Sequence, residues 1–279
     1  MSATARPASR LRLLAAATGY ELRKKIQFRV GFLVREVLNG AVEPLVMLFV
    51  YRALYRSAGG DGARLGGWSY PEIVQYVAGL LVVRKLVFNE RGLELSTEIF
   101  EGRVTKYLVM PFPYFVLAQA RFVQFVGLQL VVALLVWGLG YAAVPAHWLV
   151  PVSALATLQA LALALLGSYC CFLVYFTINA AAFWLDVIWS LLVMAAFVIL
   201  FIGGGTIPVS QMPEGVADAL RWAFPYWTIS APIELLLGRI GTPEFLRGVL
   251  VLGGWLAVLE TVRRVTWRRG LARYVGAGM

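Results

Sequence analysis

Four glutamates, Glu90, Glu94, Glu98 and Glu101, recur at spacings of four, four and three. They lie in the segment Asn89 to Phe115, the longest mixed-charge segment between two apolar runs. On a helix this spacing gathers the carboxylates on one face. Phe100, Val104, Tyr107 and Leu108 share another. The chemistry open to such a pair of faces is recognition: acceptors for a basic partner beside an apolar strip. Gly102 loosens the helix, and Pro111 and Pro113 end it. The segment reads either as a docking face between two membrane spans or as a solvated loop at the lipid surface.

Other groups able to do chemistry are sparse. Glu43 sits inside an apolar run and is followed by Pro44. A charge at that depth costs about 2.5–3.5 kcal/mol on insertion scales, so it must face protein or water. It is either a pathway residue or a glutamate that packs helices. Asn179 and Asp186 flank a short turn. His147, the single histidine, has no ligand neighbours for a metal and no serine partner for a nucleophilic pair. Cys170 and Cys171 are adjacent within an apolar run and cannot form an ordinary structural bridge. No G-x-x-x-x-G-K-[ST], H-E-x-x-H or G-x-S-x-G occurs, so the chain offers no ATP-hydrolysing loop, zinc protease site or nucleophile elbow. These residues point away from an enzyme, and neither a cofactor nor a metal is expected in this chain.

The elements that must position these residues are membrane helices. The chain is 60% hydrophobic and 14% charged, with a mean hydropathy of +0.76, which no soluble fold carries. Long apolar runs favour helices over the short alternating segments of a barrel. The net charge of +10 is clustered beside the runs, where it meets anionic headgroups rather than nucleic acid. The reading is a single all-α membrane domain. Residues 1–29 form a basic interfacial helix with no cleavable signal, 30–262 a six-span core, and 263–279 a basic tail. The spans are placed at about 30–51, 71–88, 114–144, 150–176, 186–202 and 245–262. Arg84 and Lys85 are expected to snorkel from the end of the second span. After Gly203-Gly204-Gly205, the Pro-broken segment to Ile240 is too short in its apolar pieces to span, and reads as re-entrant or interfacial. Within it, 213–224 reads as one amphipathic helix with Val216, Leu220, Ala223 and Phe224 on a face. Six spans place both termini together, and the distribution of Lys and Arg places them in the cytoplasm.

The opening segment resembles the cytoplasmic loop of ABC-2 type transporter permeases, in the branch of about this length that carries no fused ATPase. Glu98-Ile99, Gly102-Arg103, Tyr107-Leu108 and Pro111 carry the resemblance, as E-I-x-x-G-x-x-x-x-Y-L-x-x-P. Met110 stands where family members often carry a basic residue. The late segment is similar to the family's extracellular re-entrant hairpin between spans five and six. It has Ile207-Pro208, Met212-Pro213, Phe224-Pro225 and Ala231-Pro232 and ends in Leu237-Gly238.

The resemblance implies an exporter subunit in a bacterial inner membrane, multi-pass, surrounded by lipid. A second permease chain pairs with it, as a homodimer or a related heterodimer. Separate cytoplasmic ABC ATPase subunits bind ATP and Mg and dock on residues 89–113. Glu94, Glu98, Phe100, Glu101, Gly102, Arg103, Tyr107 and Pro111 would form the coupling helix, with the glutamates touching the ATPase and Phe100 and Tyr107 packing the element. Glu98→Lys would then uncouple ATP hydrolysis while leaving the fold intact. Glu43, Asn179 and Asp186 would line or gate the path. The alternative function is a non-transporting scaffold that anchors a cytoplasmic partner through the same segment.

Overall fold

The computed structural model describes residues 46–60, 62–87, 94–110, 113–143 and 152–274. The basic N-terminal segment, Glu43, Glu90, Pro111, His147 and the chain beyond Tyr274 lie outside the described residues. Residues 46–57 are helical (α1). There follow strands β1 (Arg64–Leu65) and β2 (Trp68–Ser69), and helices α2 (Tyr70–Val87), α3 (Glu94–Phe100), α4 (Thr105–Leu108), α5 (Tyr114–Ala143) and α6 (Ala154–Ala180). A 3₁₀ turn at Ala181–Phe183 leads to α7 (Trp189–Ile202), and another at Val209–Gln211 to α8 (Glu214–Leu220). The chain closes with α9 (Phe224–Thr228), α10 (Ser230–Leu236) and α11 (Thr242–Arg273).

Local sequence accounts for several helix starts. Before α2, the Glu72 carboxylate accepts from the Ser69 backbone N–H at 2.7 Å and from its hydroxyl at 2.8 Å, as Ser-Tyr-Pro-Glu should. Ser153 caps α6 by accepting from the Ala156 N–H at 3.0 Å. Glu244 reaches back to the Gly241 N–H at 3.1 Å at the start of α11. Residues 52–70, between the first two expected spans, carry regular structure despite their glycines. α1 runs on to residue 57, and β1 and β2 pair antiparallel with Leu65 opposite Trp68.

α6 is the centre of the structure, with α2, α3, α9, α10 and α11 packed around it and α5 against α2. Small residues let the backbones approach closely, as membrane packing requires. A Cβ on Gly167 would run into the Thr228 side chain, one on Gly79 would lie 2.9 Å from Ile233 Cγ2, and one on Gly248 would strike the Trp227 ring. All three partners belong to α9 and α10. Every residue from Phe224 to Leu235 is buried, so this hairpin inserts into protein rather than lipid.

α5, α6 and α11 are long and apolar enough to cross a membrane, and α7 is a shorter apolar helix. The last span outruns its expected end at 262, because α11 continues unbroken through Arg263, Arg264, Arg268 and Arg269 to Arg273. Arginine is a good helix former, so the change from apolar to basic residues does not end the helix. The amphipathic helix expected over 213–224 stops at Leu220, and its buried residue is Ala217 while Val216 is exposed. α7 begins at Trp189, three residues after Asp186, which is exposed outside it.

α7 has 14 residues, about 21 Å at the rise of an α-helix, against about 30 Å of hydrocarbon core. Its terminal glycines are buried, so their carbonyls need partners inside the protein. Each finds one. Ser230 donates its hydroxyl to the Gly203 oxygen at 2.8 Å, Tyr76 to the Gly204 oxygen at 2.7 Å, and Arg84 Nη2 to the Gly205 oxygen at 2.7 Å. Gly204 has φ +79°, a conformation that a side chain would strain. Arg84 therefore reaches the end of α7 rather than snorkelling to the surface.

Candidate functional site

The mixed-charge segment folds as two short helices, α3 and α4, joined by a turn at Gly102 with φ +68°. The helix breaks at Gly102, where it is expected to loosen, and the three described carboxylates, Glu94, Glu98 and Glu101, do not share one face. Glu94 is exposed and pairs with Arg121 of α5 at 3.1 Å. Glu101 is exposed and pairs with Arg103 across the turn. Glu98 points inward and is only 8% exposed. It accepts a hydrogen bond from the Tyr107 hydroxyl at 2.5 Å, and Lys106 Nζ lies 3.8 Å away.

The apolar face divides in the same way. Val104 and Tyr107 are buried, whereas Phe100 and Leu108 are exposed, followed by Val109 at 82% and Met110. Tyr107 is thus buried within the element, and Phe100 lies on its outside. The element has a polar, internally bonded base and an apolar outer rim.

Three helices hold that base. Asn179, in the last turn of α6 rather than in a loop, accepts from the Ser96 N–H at 3.3 Å and donates to the Tyr175 oxygen at 2.8 Å. It is buried under α3, while Asp186 lies exposed beyond it, so the two do not meet in one site. Tyr107 packs edge-on against Tyr114 of α5 with ring centroids 4.8 Å apart, and Tyr114 stacks on Trp267 of α11 at 5.5 Å. The guanidinium of Arg263 lies 3.6 Å from the centroid of Phe115, its charge paired with Glu260 at 2.7 Å. The end of α11 then closes on the turn. Tyr274 donates its hydroxyl to the Gly102 oxygen at 2.7 Å and lies 3.2 Å from Thr105 Oγ1. Gly270 allows the approach, since a Cβ there would collide with the Phe183 ring.

Sequence reading missed Arg121, Tyr274 and Trp267 as parts of this assembly. The aromatic and basic character of the last helix hinted at Trp267 and Tyr274, and nothing local singled out Arg121 of α5. A small cleft between α3, α5 and α6 is lined by Glu94, Tyr114, Arg121, Tyr175 and Asn179 among others.

A second polar cluster surrounds the buried hairpin. Glu234 of α10 accepts from Tyr226 at 2.9 Å and from Ser210 at 3.0 Å, and Ser210 in turn accepts from Trp68 Nε1 at 3.2 Å. Arg239 lies over the Trp68 ring at 4.0 Å and bonds Glu72 at 3.2 Å. The β1–β2 ribbon is thereby fastened over the hairpin. Among the described residues no group of His, Cys, Asp and Glu could hold a metal ion, and Cys170 and Cys171 are both free and buried. The assembly thus presents an exposed apolar rim braced by α5, α6 and α11, and the buried hairpin packs on the same α6 and α11.

Residues 41–278 match the family model described as ABC-2 family transporter protein. No curated protein matches the chain.

Proposed function

The chain belongs to the ABC-2 family of transporter proteins, and from that premise we propose that it is the permease subunit of an exporter whose ATPase docks on residues 89–113. One observation carries the docking site. Phe100, Leu108 and Val109 project from an element whose other side is held by α5, α6 and α11. A rigidly backed apolar patch on a short helical element is what a groove on another protein recognises. Glu94, Glu101 and Arg103 stand beside the rim as polar edge contacts, and Gly102 provides the turn. Glu98 and Tyr107 serve the element from inside.

In this reading ATP and Mg are bound by the partner, and this chain performs no catalysis. The six-span arrangement, with both termini and the docking element in the cytoplasm of a bacterial inner membrane, follows from the charge distribution. A second permease completes the path. The exposed face of α7, with Met194, Phe197, Val198 and Phe201 at spacings of three, one and three, supports that pairing. Lipid would satisfy the same face, so cross-linking through Phe197→Cys is the discriminating measurement.

The test of the whole reading is reconstitution. The chain is placed in lipid nanodiscs with candidate ABC ATPases, and ATP turnover is compared with that of the ATPase alone. A stable complex with altered turnover supports the permease. A complex whose turnover is unaltered favours a scaffold, and no complex with any ATPase removes the assignment.

A further inference from the structure

The broken end of α7 is gripped from two sides. α2 supplies Tyr76 to the Gly204 oxygen and Arg84 to the Gly205 oxygen, while α10 supplies Ser230 to the Gly203 oxygen. The same Tyr76 and Ser230 hydroxyl oxygens lie 2.7 Å apart, so the two grips are immediate neighbours. Between Tyr76 and Arg84 on α2, Gly79 lies against Ile233 of α10. One helix thus touches the end of α7 and the buried hairpin together. A cation is favourable at a helix C-terminus, where unpaired carbonyls leave a partial negative charge. Inside a membrane protein that attraction is screened little. Arg84 supplies both the charge and a donor. A neutral donor such as Tyr76 supplies only the second.

We propose that Arg84 is a positioning residue for transport: it fastens the end of α7 to α2, so that α7 and the hairpin follow the helix preceding the docking element. The fastening is a property of the fold alone. Its role in transport rests on the permease reading above.

Hydrogen exchange on the full chain in nanodiscs tests the fastening without any ATPase. In Arg84→Ala, peptides covering residues 200–212 should exchange about tenfold faster, the effect of losing one charged hydrogen bond, with those of α6 unchanged. Arg84→Lys, which keeps the charge and a donor, should recover most of the protection. Tyr76→Phe should give a smaller rise and serves as the reporter should Arg84→Ala not fold. Protection unchanged in Arg84→Ala, or as poor in Arg84→Lys as in Arg84→Ala, overturns the fastening. ATP turnover then tests the role. Arg84→Ala should still bind the ATPase with wild-type affinity but no longer alter its turnover, and Arg84→Lys should alter it. Wild-type turnover in a complex whose α7 end has loosened overturns the role and leaves the permease reading standing. Failure of the wild-type chain to bind any ATPase overturns that reading and the role with it, and leaves the fastening to be decided by exchange.

Discussion

Glu98 on α3 accepts the Tyr107 hydroxyl of α4 at 2.5 Å, a bond that closes the two short helices around the Gly102 turn. It turns a carboxylate that sequence assigns to a partner into one that serves its own fold. Glu98→Lys is therefore not a clean uncoupling change. It breaks the bond and sets a second ammonium beside Lys106. A loss of about 2 kcal/mol in stability is expected, the range for a hydrogen bond to a charged group. Glu98→Gln keeps an acceptor and should lose less. Thermal unfolding followed by intrinsic fluorescence compares them, and equal midpoints for Glu98→Lys and wild type would refute the inward role.

The outer rim is the place to test the proposed docking without breaking the fold. Val109→Asp and Leu108→Asp alter exposed apolar side chains and should leave the unfolding midpoint unchanged. Each should weaken ATPase binding at least about tenfold, or about 1.4 kcal/mol. Titration of the ATPase onto nanodiscs gives the affinity. Wild-type binding by the double variant would move the docking surface elsewhere.

Glycines on α11 supply a matched pair of tests. A Cβ at Gly248 would collide with Trp227 of the buried hairpin, whereas one at Gly253 or Gly254 would meet open space. Gly248→Ala should lower stability by about 1–3 kcal/mol, as overpacking does. Gly253→Ala should be neutral or slightly stabilising through helix propensity. Equal midpoints for the two variants would mean that the hairpin does not insert as described.

Tyr274 should hold the Gly102 turn. Tyr274→Phe removes its bond to the Gly102 oxygen but keeps its ring, which packs edge-on to Phe183. Trypsin cleavage after Arg103 should then accelerate about fivefold, as local opening becomes easier by about 1 kcal/mol. Unchanged cleavage would show that the end of α11 does not restrain the turn.

The hairpin should respond to pH through Glu234. Burial pushes its carboxyl up from the ordinary value and outweighs the hydrogen bonds from Tyr226 and Ser210 that pull it down. The folded chain then holds this proton more tightly than the unfolded chain. Its contribution to stability is fully present below the ordinary carboxylate range and is lost as pH rises through the raised value. The midpoint difference between wild type and Glu234→Gln should grow as pH rises from acid to neutral. A difference independent of pH would contradict the shift.

Much of this architecture is legible in the residues themselves. The apolar runs announce membrane helices, Ser69-Tyr70-Pro71-Glu72 announces the start of α2, and Gly102 announces a weak point in the helix of the mixed-charge segment. The Pro-broken stretch after Gly203-Gly204-Gly205 announces an element that cannot span. These signals are local: a cap or a turn needs only its neighbours in sequence. Facing is different. Lipid tails are as apolar as leucine, so the side of a membrane helix that meets protein looks in sequence like the side that meets lipid. Only the tertiary structure decided that Glu98 turns inward, that Asn179 lies under α3, and that Arg84 reaches Gly205, 121 residues away. Only the fold, likewise, could bring Tyr274 to Gly102 across 172 residues, because such a pairing depends on how distant helices pack rather than on any periodic pattern.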